Sequence, residues 1–388
     1  MAGRPLQHTI AIIGAGIAGP VLALTILSHP ALGKLYKPII YERLPNPIST
    51  SLQNQSSNET DSHAKATHAS GAAVALTSNA LFPLYDLGLR SELDAISCET
   101  ERIKIWRAWG GKDGGSHKYF NKITHPNWQK DLGTCLRVVE RGNLQKLVLE
   151  KVRELGGEVL WEKKLQGMER VDEGVKLSFD SGEEAVVSLV VGADGGWSGV
   201  RRQICGDKNG KEDERWKPYF SGADGIYGIS KPIEGLSSSE TGEETKDGDT
   251  HWVLLDSGTA STWALPGGRQ FWTISFPSKS PPQRTSNVED ARKQTESKLY
   301  GAEVTLGGYS LAETEEVLKN SENAWHPVAG NFGELFRRSE RIVRAPLWYR
   351  AWEKDEIGGK NLVLIGDASR LMLPSSGQGT PFSLPLQT

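Results

Sequence analysis

The sequence has little of several features that mark specialised classes of protein. Only three of its 388 residues are cysteines, and Cys98, Cys135 and Cys205 lie far apart without a C-x-x-C pair. This argues against a disulfide scaffold or a cysteine zinc site, and it predicts a reducing, cytoplasmic location.

No stretch reaches the ~18 apolar residues of a membrane span. The formal net charge is only −3, so binding to nucleic acid or to a membrane surface is not predicted. The eight histidines include no H-x-x-x-H pair, so no metal site is predicted.

The order of apolar strands and helices in the first half of the chain predicts an α/β fold. HTIAIIGAGIAGPVLALTIL is typical of a buried strand, a turn and a helix, and the strand KPIIYER ends at Glu42. A polar stretch at 46–70 predicts a surface loop. The apolar strand NLVLIGDA near the end of the chain predicts a return to the same sheet. We therefore expect a parallel sheet over 1–215 and 345–388.

Between 216 and 344 the pattern changes. HWVLLDSGTASTWALPGGRQFWTISF predicts antiparallel strands, and NVEDARKQTESKLYG and SLAETEEVLKNSE predict helices. We expect a separate α+β domain with an antiparallel sheet in this range.

A glycine-rich turn, G-x-G-x-x-G, links the first strand to the first helix through Gly14, Gly16 and Gly19. The first glycine allows a tight turn, the second lets the backbone approach a pyrophosphate, and the third lets helix and strand pack closely. Free N–H groups at the helix start favour phosphate, and Glu42 stands where a carboxylate accepts hydrogen bonds from a ribose. These features predict a Rossmann-like, dinucleotide-binding domain. The alternative is a tight turn without a ligand.

Two further apolar strands end in aspartates far along the chain, at Asp194 in VVGADGGWSGVRRQI and at Asp367 in LVLIGDASR. Cofactors bind beyond the carboxyl ends of strands in open α/β sheets. An aspartate on a third strand suits the hydroxyl groups of the ribityl chain of a flavin, whereas a domain that binds NAD alone does not need it. The pattern therefore favours FAD.

These motifs, in this order, resemble the FAD-dependent aromatic hydroxylases and monooxygenases, the single-component flavoproteins typified by para-hydroxybenzoate and salicylate hydroxylases. The matching segments lie between His8 and Thr380 and are GAGIAG, ERLP, GAAVALTSNAL, VVERGNLQKLV, GADGGWSGVR and GDASRLMLPSSGQG. The resemblance implies a Rossmann-like FAD-binding domain, a substrate domain at 216–344, and NADPH or NADH as co-substrate.

The resemblance also implies cofactor-binding roles for Gly14, Gly16, Gly19, Glu42, Gly71, Arg141, Asp194, Asp367, Gly379 and Thr380. It implies that Arg141 contacts FAD, that Asp194 serves both FAD and NADPH, and that Asp367 holds the ribityl chain. Plainer alternatives stay open. In these alternatives, Arg141 is a charge on the helix surface and Asp194 is part of a turn. Asp367 is a helix N-cap, and Gly71 is a glycine that contacts no ligand.

The implied activity is the insertion of one atom of O2 into an aromatic or other small organic substrate, with NAD(P)H as reductant, in secondary metabolism. The flavin carries the chemistry and the protein supplies orientation, electrostatics and exclusion of water, so no catalytic side chain is assigned. Two alternatives stay open: a flavoprotein reductase or halogenase-like relative, and a non-catalytic truncated remnant. The oligomeric state is not predicted.

Two groups of residues are candidates for a substrate or NADPH site. The first is a set of arginines that either bind an acidic group or are solvated surface charges: Arg337, Arg338, Arg341 and Arg344. The second lies in predicted strands that either form a pocket wall or pack in a core: His251, Trp252, Trp263 and Trp272.

Two features depart from the family pattern. Arg370 stands where many members have histidine, in G-D-A-x-H, which predicts a change in local packing. The turn at 377–379 is followed by TPFSLPLQT, where Pro385 interrupts the helix that opens there in the family. We interpret the chain as C-terminally shortened, and we expect weak flavin binding and an uncovered apolar face.

Overall fold

The computed structural model describes residues 7–46, 72–109, 116–124, 130–131, 133–208, 211–212, 214–233, 248–282 and 298–374. The predicted loop at 46–70 lies outside this part of the chain apart from its first residue. Gly71, Gly379 and Thr380 also lie outside the described residues, as does the turn at 377–379 with all that follows it. The predictions about these residues stay predictions.

A mostly parallel sheet, here called the parallel sheet, forms the first layer. Its strands lie in the spatial order Gly358–Gly359, Leu362–Leu364, Leu189–Gly192, His8–Ile13, Tyr36–Tyr41 and Glu158–Leu160. Neighbouring strands are parallel except for the first pair. Ile12 and Ile40 are fully buried between this sheet and its helices. The predicted α/β fold with a parallel sheet is confirmed.

The described helices are Ala18–Ser28, Leu32–Leu35, Ser78–Asp86, Arg90–Ile96, Arg141–Glu154, Gly199–Cys205, Leu311–Ser321, Phe332–Arg337 and Lys354–Ile357, with 3-10 turns at Glu214–Trp216 and Gly366–Ala368. Helices Ala18–Ser28 and Arg141–Glu154 pack side by side on the parallel sheet. The predicted helix in SLAETEEVLKNSE is confirmed. It begins with a capping box in which the Ser310 hydroxyl accepts from the Glu313 backbone N–H and the Glu313 carboxylate accepts from Ser310.

A second, mostly antiparallel sheet is here called the large sheet. Its strands lie in the order Lys298–Leu299, Ala302–Thr305, Ser339–Ala351, Tyr219–Ser230, Arg269–Pro277, Thr259–Leu265, Thr250–Leu254, Arg102–Ala108 and His117–Thr124, with Arg370–Leu371 paired to Ser339–Ala351. Helices Leu311–Ser321 and Phe332–Arg337 cover one face, where Trp106 and Trp272 are fully buried. The antiparallel strands predicted for 251–276 are confirmed.

One predicted helix is wrong at its end. Lys298–Leu299, the end of NVEDARKQTESKLYG, forms a strand that pairs with Ala302 and Glu303. Tyr300 and Gly301 have φ of 53° and 84°, so they form a tight turn that helical backbone does not allow. The rest of that predicted helix lies outside the described residues.

The large sheet takes strands from two parts of the chain. Arg102–Ala108 pairs in parallel with Thr250–Leu254 and antiparallel with His117–Thr124. Both early strands lie in the range 1–215, and the domain boundaries at 215 and 344 stay a prediction.

Smaller sheets complete the fold. A sheet here called the small sheet contains Ala73–Leu76, Leu136–Glu140 and Ser97–Thr100; the others are Glu184–Val187 with Gly174–Phe179 and Leu165–Val171, Asp207–Lys208 with Lys211–Glu212, and Trp325–His326 with Gly330–Asn331. Within the described ranges, no helix is both long enough and apolar enough to cross a bilayer.

Candidate functional site

Four adjacent strands of the parallel sheet end at one edge. They are Tyr36–Tyr41, His8–Ile13, Leu189–Gly192 and Leu362–Leu364, and all of them run in the same direction. Just beyond the strand ends the pairing continues through three backbone hydrogen bonds. They run from the N–H groups of Gly14, Ala193 and Ile365 to the carbonyl groups of Tyr41, Ile13 and Gly192, at 2.8, 2.8 and 2.9 Å. The sheet therefore brings Glu42, the glycine turn, Asp194 and Asp367 to the same edge.

The three glycines of the turn are needed for different reasons. Gly14 has φ of 112°, and a Cβ atom there would lie 2.5 Å from the Ala193 carbonyl oxygen. A Cβ atom on Gly19 would overlap the carbonyl oxygen of Gly14. At Gly16 the nearest atom to an added Cβ is Nη2 of Arg141, at 3.8 Å. The fold itself thus requires glycine at 14 and 19, whereas position 16 is open, as the close approach of a ligand requires.

Helix Ala18–Ser28 begins directly after this turn. No side chain caps its first N–H groups. An uncapped helix N-terminus leaves backbone donors and a partial positive charge for an anion, so this end of the sheet suits a phosphate group.

Glu42 holds the glycine turn in place. Its Oε2 accepts a hydrogen bond of 2.7 Å from the Ala15 backbone N–H, and its Oε1 accepts one of 3.0 Å from Leu44. Each carboxylate oxygen keeps a lone pair that a ribose hydroxyl can use. The Gln145 side-chain amide donates to the Ala15 carbonyl at 2.6 Å. Sequence reasoning missed Gln145, although its position one helical turn after Arg141 was a signal.

Arg141 begins helix Arg141–Glu154 and lies at the glycine turn. Its backbone N–H donates to the Ala72 carbonyl at 3.0 Å, and its guanidinium lies beside Gly16. The preceding Glu140 forms an ion pair of 2.5 Å with Arg269 of the large sheet. Arg141 therefore lies beside the glycine turn, and the residue before it contacts the large sheet. Its role toward FAD stays a prediction.

Asp194 is only partly satisfied. Its Oδ2 accepts from the Val200 backbone N–H at 3.1 Å, so it supports the start of helix Gly199–Cys205. Its Oδ1 is buried and has no hydrogen-bond partner among the described residues. Burial raises the pKa of this carboxyl group, and hydrogen bonds from Ser198 and Val200 oppose the shift. A buried acceptor without a partner fits a ligand that brings a hydroxyl or N–H group.

Asp367 lies in the 3-10 turn Gly366–Ala368 and caps no helix. Its side chain is exposed and makes no hydrogen bond to a described residue. The surrounding protein still raises the pKa of this carboxyl group, and Arg141 opposes the shift.

Arg201, which sequence reasoning did not single out, ties two of these strand ends together. The fully buried guanidinium donates to the carbonyl groups of Gly196, Ala368 and Trp216, the last at 2.8 Å. It stacks 3.5 Å from the Trp352 ring. Burial lowers its pKa to about 10, and Asp194 opposes this shift. No pattern in the sequence distinguishes Arg201 from its neighbour Arg202.

The arginine candidates at 337–344 divide into two kinds. Arg337 and Arg338 pair with Glu334 near the surface. Arg344 is buried, pairs with Asp224 at 2.9 Å and stacks 3.8 Å from the Tyr309 ring, so the alternative of a solvated charge is wrong for Arg344. Arg341 donates to the Thr305 hydroxyl at 2.7 Å.

The aromatic candidates also divide. Trp272 and His251 are fully buried on the helix-covered face of the large sheet, where the Trp272 indole donates to Ser339 at 2.8 Å. Trp252 and Trp263 are half-buried. For the first pair the core alternative holds. Among the described residues, no group of three or more histidine, cysteine, aspartate or glutamate side chains could hold a metal ion.

Two proteins that are similar to this chain in sequence are FAD-dependent monooxygenases. No model of a protein family matches the chain. The chain is 23% identical over 326 residues to the FAD-dependent monooxygenase pynG of Aspergillus niger, covering 80% of this chain and 66% of that protein. It is 27% identical over 243 residues to the FAD-dependent monooxygenase pytG of Aspergillus terreus, covering 60% of this chain and 66% of that protein. The chain thus matches slightly less than two thirds of the length of either relative.

The fold is also that of a solved flavoprotein. The structure of Klebsiella pneumoniae HpxO, complexed with FAD and uric acid, matches with a TM-score of 0.66 at 16% identity, covering 98% of this chain and 78% of HpxO. The chain is therefore similar in sequence to two FAD-dependent monooxygenases of Aspergillus and similar in fold to HpxO.

Proposed function

We propose that this chain is an FAD-dependent monooxygenase that uses NADPH or NADH to insert one atom of O2 into an aromatic or other small organic substrate. One observation carries the proposal. Four parallel strand ends bring to one sheet edge an open glycine, an uncapped helix N-terminus, the Asp194 carboxylate, one oxygen of which is buried without a partner among the described residues, and the exposed carboxylate of Asp367.

The residues at this edge fit FAD in its extended form. The N–H groups around Gly16 and the start of helix Ala18–Ser28 suit the pyrophosphate. Glu42 suits the ribose, and Asp367, two strands away from the glycine turn, suits the ribityl hydroxyls. Arg141 adds a positive charge beside Gly16. The roles proposed for Gly14 and Gly19 are to shape the turn, because an added Cβ at either position meets backbone.

Bound FAD would supply the redox chemistry with O2 that side chains lack. The chain's own residues would bind and orient the reactants. Arg201 would keep the loops after Asp194 and Asp367 in register by holding the carbonyl groups of Gly196 and Ala368. The large sheet would cover the substrate from the other side and limit access of water. The names of the two Aspergillus relatives support this reaction.

A visible absorbance spectrum of the purified full chain, before and after NADPH, tests the proposal. We expect flavin absorbance from FAD that the chain carries or takes up, and its loss on reduction by NADPH in the absence of O2. Stoichiometric FAD in the protein as purified would overturn the expectation of weak flavin binding. Product analysis in isotopically labelled O2 should then show one labelled oxygen atom. A chain that neither carries nor takes up FAD would contradict the proposal, and NADPH oxidation without oxygen incorporation would favour a reductase.

The proposal also covers the location of the enzyme in the cell and its role in metabolism. The three cysteines form no disulfide in the structure, which supports a cytoplasmic location. A role in secondary metabolism follows from the resemblance alone. Substrate turnover by cytosolic extracts of the source cells, lost when the gene is deleted, would test both.

A further inference from the structure

Ala15, in the middle of the glycine turn, is held at both of its backbone polar groups. Its N–H group donates to Oε2 of Glu42 at 2.7 Å, and its carbonyl group accepts from the side-chain amide of Gln145 at 2.6 Å. Its side chain is fully buried in the core between the parallel sheet and the helices. Ala15 therefore has a fixed place and a fixed orientation in the turn.

The bond from Gln145 determines the orientation of the peptide unit that joins Ala15 to Gly16. In a trans peptide unit the carbonyl group and the following N–H group lie in one plane and point in opposite directions. Because Gln145 holds the Ala15 carbonyl, the Gly16 N–H points away from the Gln145 side chain. This N–H donates no hydrogen bond to a described residue, so it is available to a ligand.

Helix Arg141–Glu154 brings Gln145 to the turn. The helix packs against helix Ala18–Ser28, and Leu144, the neighbour of Gln145, is fully buried. Gln145 lies one helical turn after Arg141, so the two side chains share a face of the helix. The packing of the two helices thus fixes the place of the Gln145 amide.

No backbone N–H of a described residue donates to the Ala15 carbonyl in place of this amide. A buried carbonyl group that loses its donor costs free energy, so loss of the amide would favour rotation of the peptide unit toward another donor. Such a rotation would turn the Gly16 N–H out of its present direction. Glu42 would not prevent it, because Glu42 holds the preceding peptide unit, which joins Gly14 to Ala15.

We propose that Gln145 is a positioning residue, which aims the Gly16 N–H at the pyrophosphate of the cofactor by holding the Ala15 carbonyl. The proposal rests on the function proposed above, because it needs a ligand with a pyrophosphate at the glycine turn. Gln145 itself would not contact the ligand. Its removal should weaken the binding of every ligand that carries this pyrophosphate.

The test compares Gln145→Met and Gln145→Asn in the full chain. Methionine has a similar length and no donor, whereas asparagine keeps the amide but is one methylene group shorter. Binding of FAD and of ADP, which has both phosphates but no flavin, is measured by calorimetry on the folded variants. We expect both variants to bind both ligands about 10-fold more weakly than the unaltered chain, the effect of losing one hydrogen bond to a charged group.

The phosphorus NMR signals of bound FAD give a second measurement, which a loss of stability alone would not move. Both Gln145 variants should shift these signals. Gln7→Met is the matched control, because Gln7 also donates its amide to a backbone carbonyl, that of Gly33 at 3.0 Å. Gln7 precedes strand His8–Ile13, at the end away from the glycine turn. The control should keep the affinity for both ligands and leave the phosphorus signals in place.

Unchanged affinities or unchanged phosphorus signals in either Gln145 variant would overturn the inference and leave the proposed function standing. An equal loss of affinity in Gln7→Met would also overturn it. An unaltered chain that binds ADP but takes up no FAD would contradict the proposed function alone, since the ADP measurements still test Gln145. An unaltered chain that binds neither ligand would overturn both proposals.

Discussion

Carboxylate groups are paired with arginines in the large sheet, whereas those at the edge of the parallel sheet lack such partners among the described residues. In the large sheet, Asp249 accepts two hydrogen bonds, of 2.7 and 2.8 Å, from Arg102, and Asp224 pairs with Arg344 at 2.9 Å. At the edge of the parallel sheet, one oxygen of Asp194 is buried without a partner among the described residues. Asp367 makes no hydrogen bond to them either.

The difference separates structural from functional polar groups. A buried charge is tolerated when it is paired and hydrogen-bonded, so the two large-sheet aspartates need no ligand. The buried oxygen of Asp194, which has no partner among the described residues, needs another explanation, and an extended cofactor at the ends of the parallel strands supplies it. Four sets of measurements test this distinction.

The largest expected effect is that of Gly19→Ala. The added Cβ would overlap the Gly14 carbonyl oxygen, so we expect a loss of about 4 kcal/mol or more in the free energy of unfolding. Gly16→Ala is the matched variant, because only Arg141 lies within reach of its Cβ. It should unfold in urea like the unaltered chain without FAD, but bind FAD more weakly. Full FAD affinity in Gly16→Ala would contradict the assignment of the site.

Arg344→Met should lower the free energy of unfolding by about 3–5 kcal/mol, since it leaves Asp224 charged and buried without its cation. Arg337→Met breaks an ion pair near the surface and should cost about 1 kcal/mol or less. Both are measured by urea unfolding. If Arg344→Met bound FAD more weakly and its stability were unchanged, Arg344 would be a residue of the FAD site and not a structural partner of Asp224.

Two buried histidines predict how stability depends on pH. Burial lowers the pKa of His251 to about 4 and places that of His326 well below its ordinary value. Below pH ~6.5 the unfolded chain binds protons that the folded chain does not. Stability should therefore fall as the pH drops from ~6.5 to ~5, by up to ~1.4 kcal/mol per pH unit for each histidine.

Thermal or urea unfolding across this pH range measures the slope. His326→Gln should flatten it, although the variant also loses hydrogen bonds to Val328 and Ala329. The same slope in His326→Gln as in the unaltered chain would show that His326 is not held neutral.

The smallest expected effect on stability is that of Asp367→Asn. Because folding raises the pKa of this carboxyl group, the neutral amide should leave stability without FAD unchanged or slightly higher. FAD affinity should fall about 10-fold, the cost of one charge-assisted hydrogen bond. Titration with FAD and urea unfolding give the two numbers. Loss of stability with full FAD affinity would place Asp367 among the structural carboxylates.

Local sequence patterns predicted the elements that depend on neighbouring residues. The glycine turn, the helix in SLAETEEVLKNSE and the strands around Thr259–Leu265 follow from backbone conformation, apolar spacing and alternation. The pattern in NVEDARKQTESKLYG failed at Lys298–Leu299, where a tight turn and pairing within the large sheet outweigh helical spacing.

By itself, the sequence determined the order of strands and helices, the glycine turn and the residue types at the ends of the strands, because these depend on contacts over a few residues. The tertiary structure alone decided that Arg102–Ala108 joins Thr250–Leu254, that Asp224 meets Arg344, and that Arg201 joins two strand ends. Apart from the bond from Arg201 to the nearby Gly196, these contacts connect residues more than a hundred positions apart. Their partners are chosen by the packing of whole sheets, which no short stretch of sequence encodes.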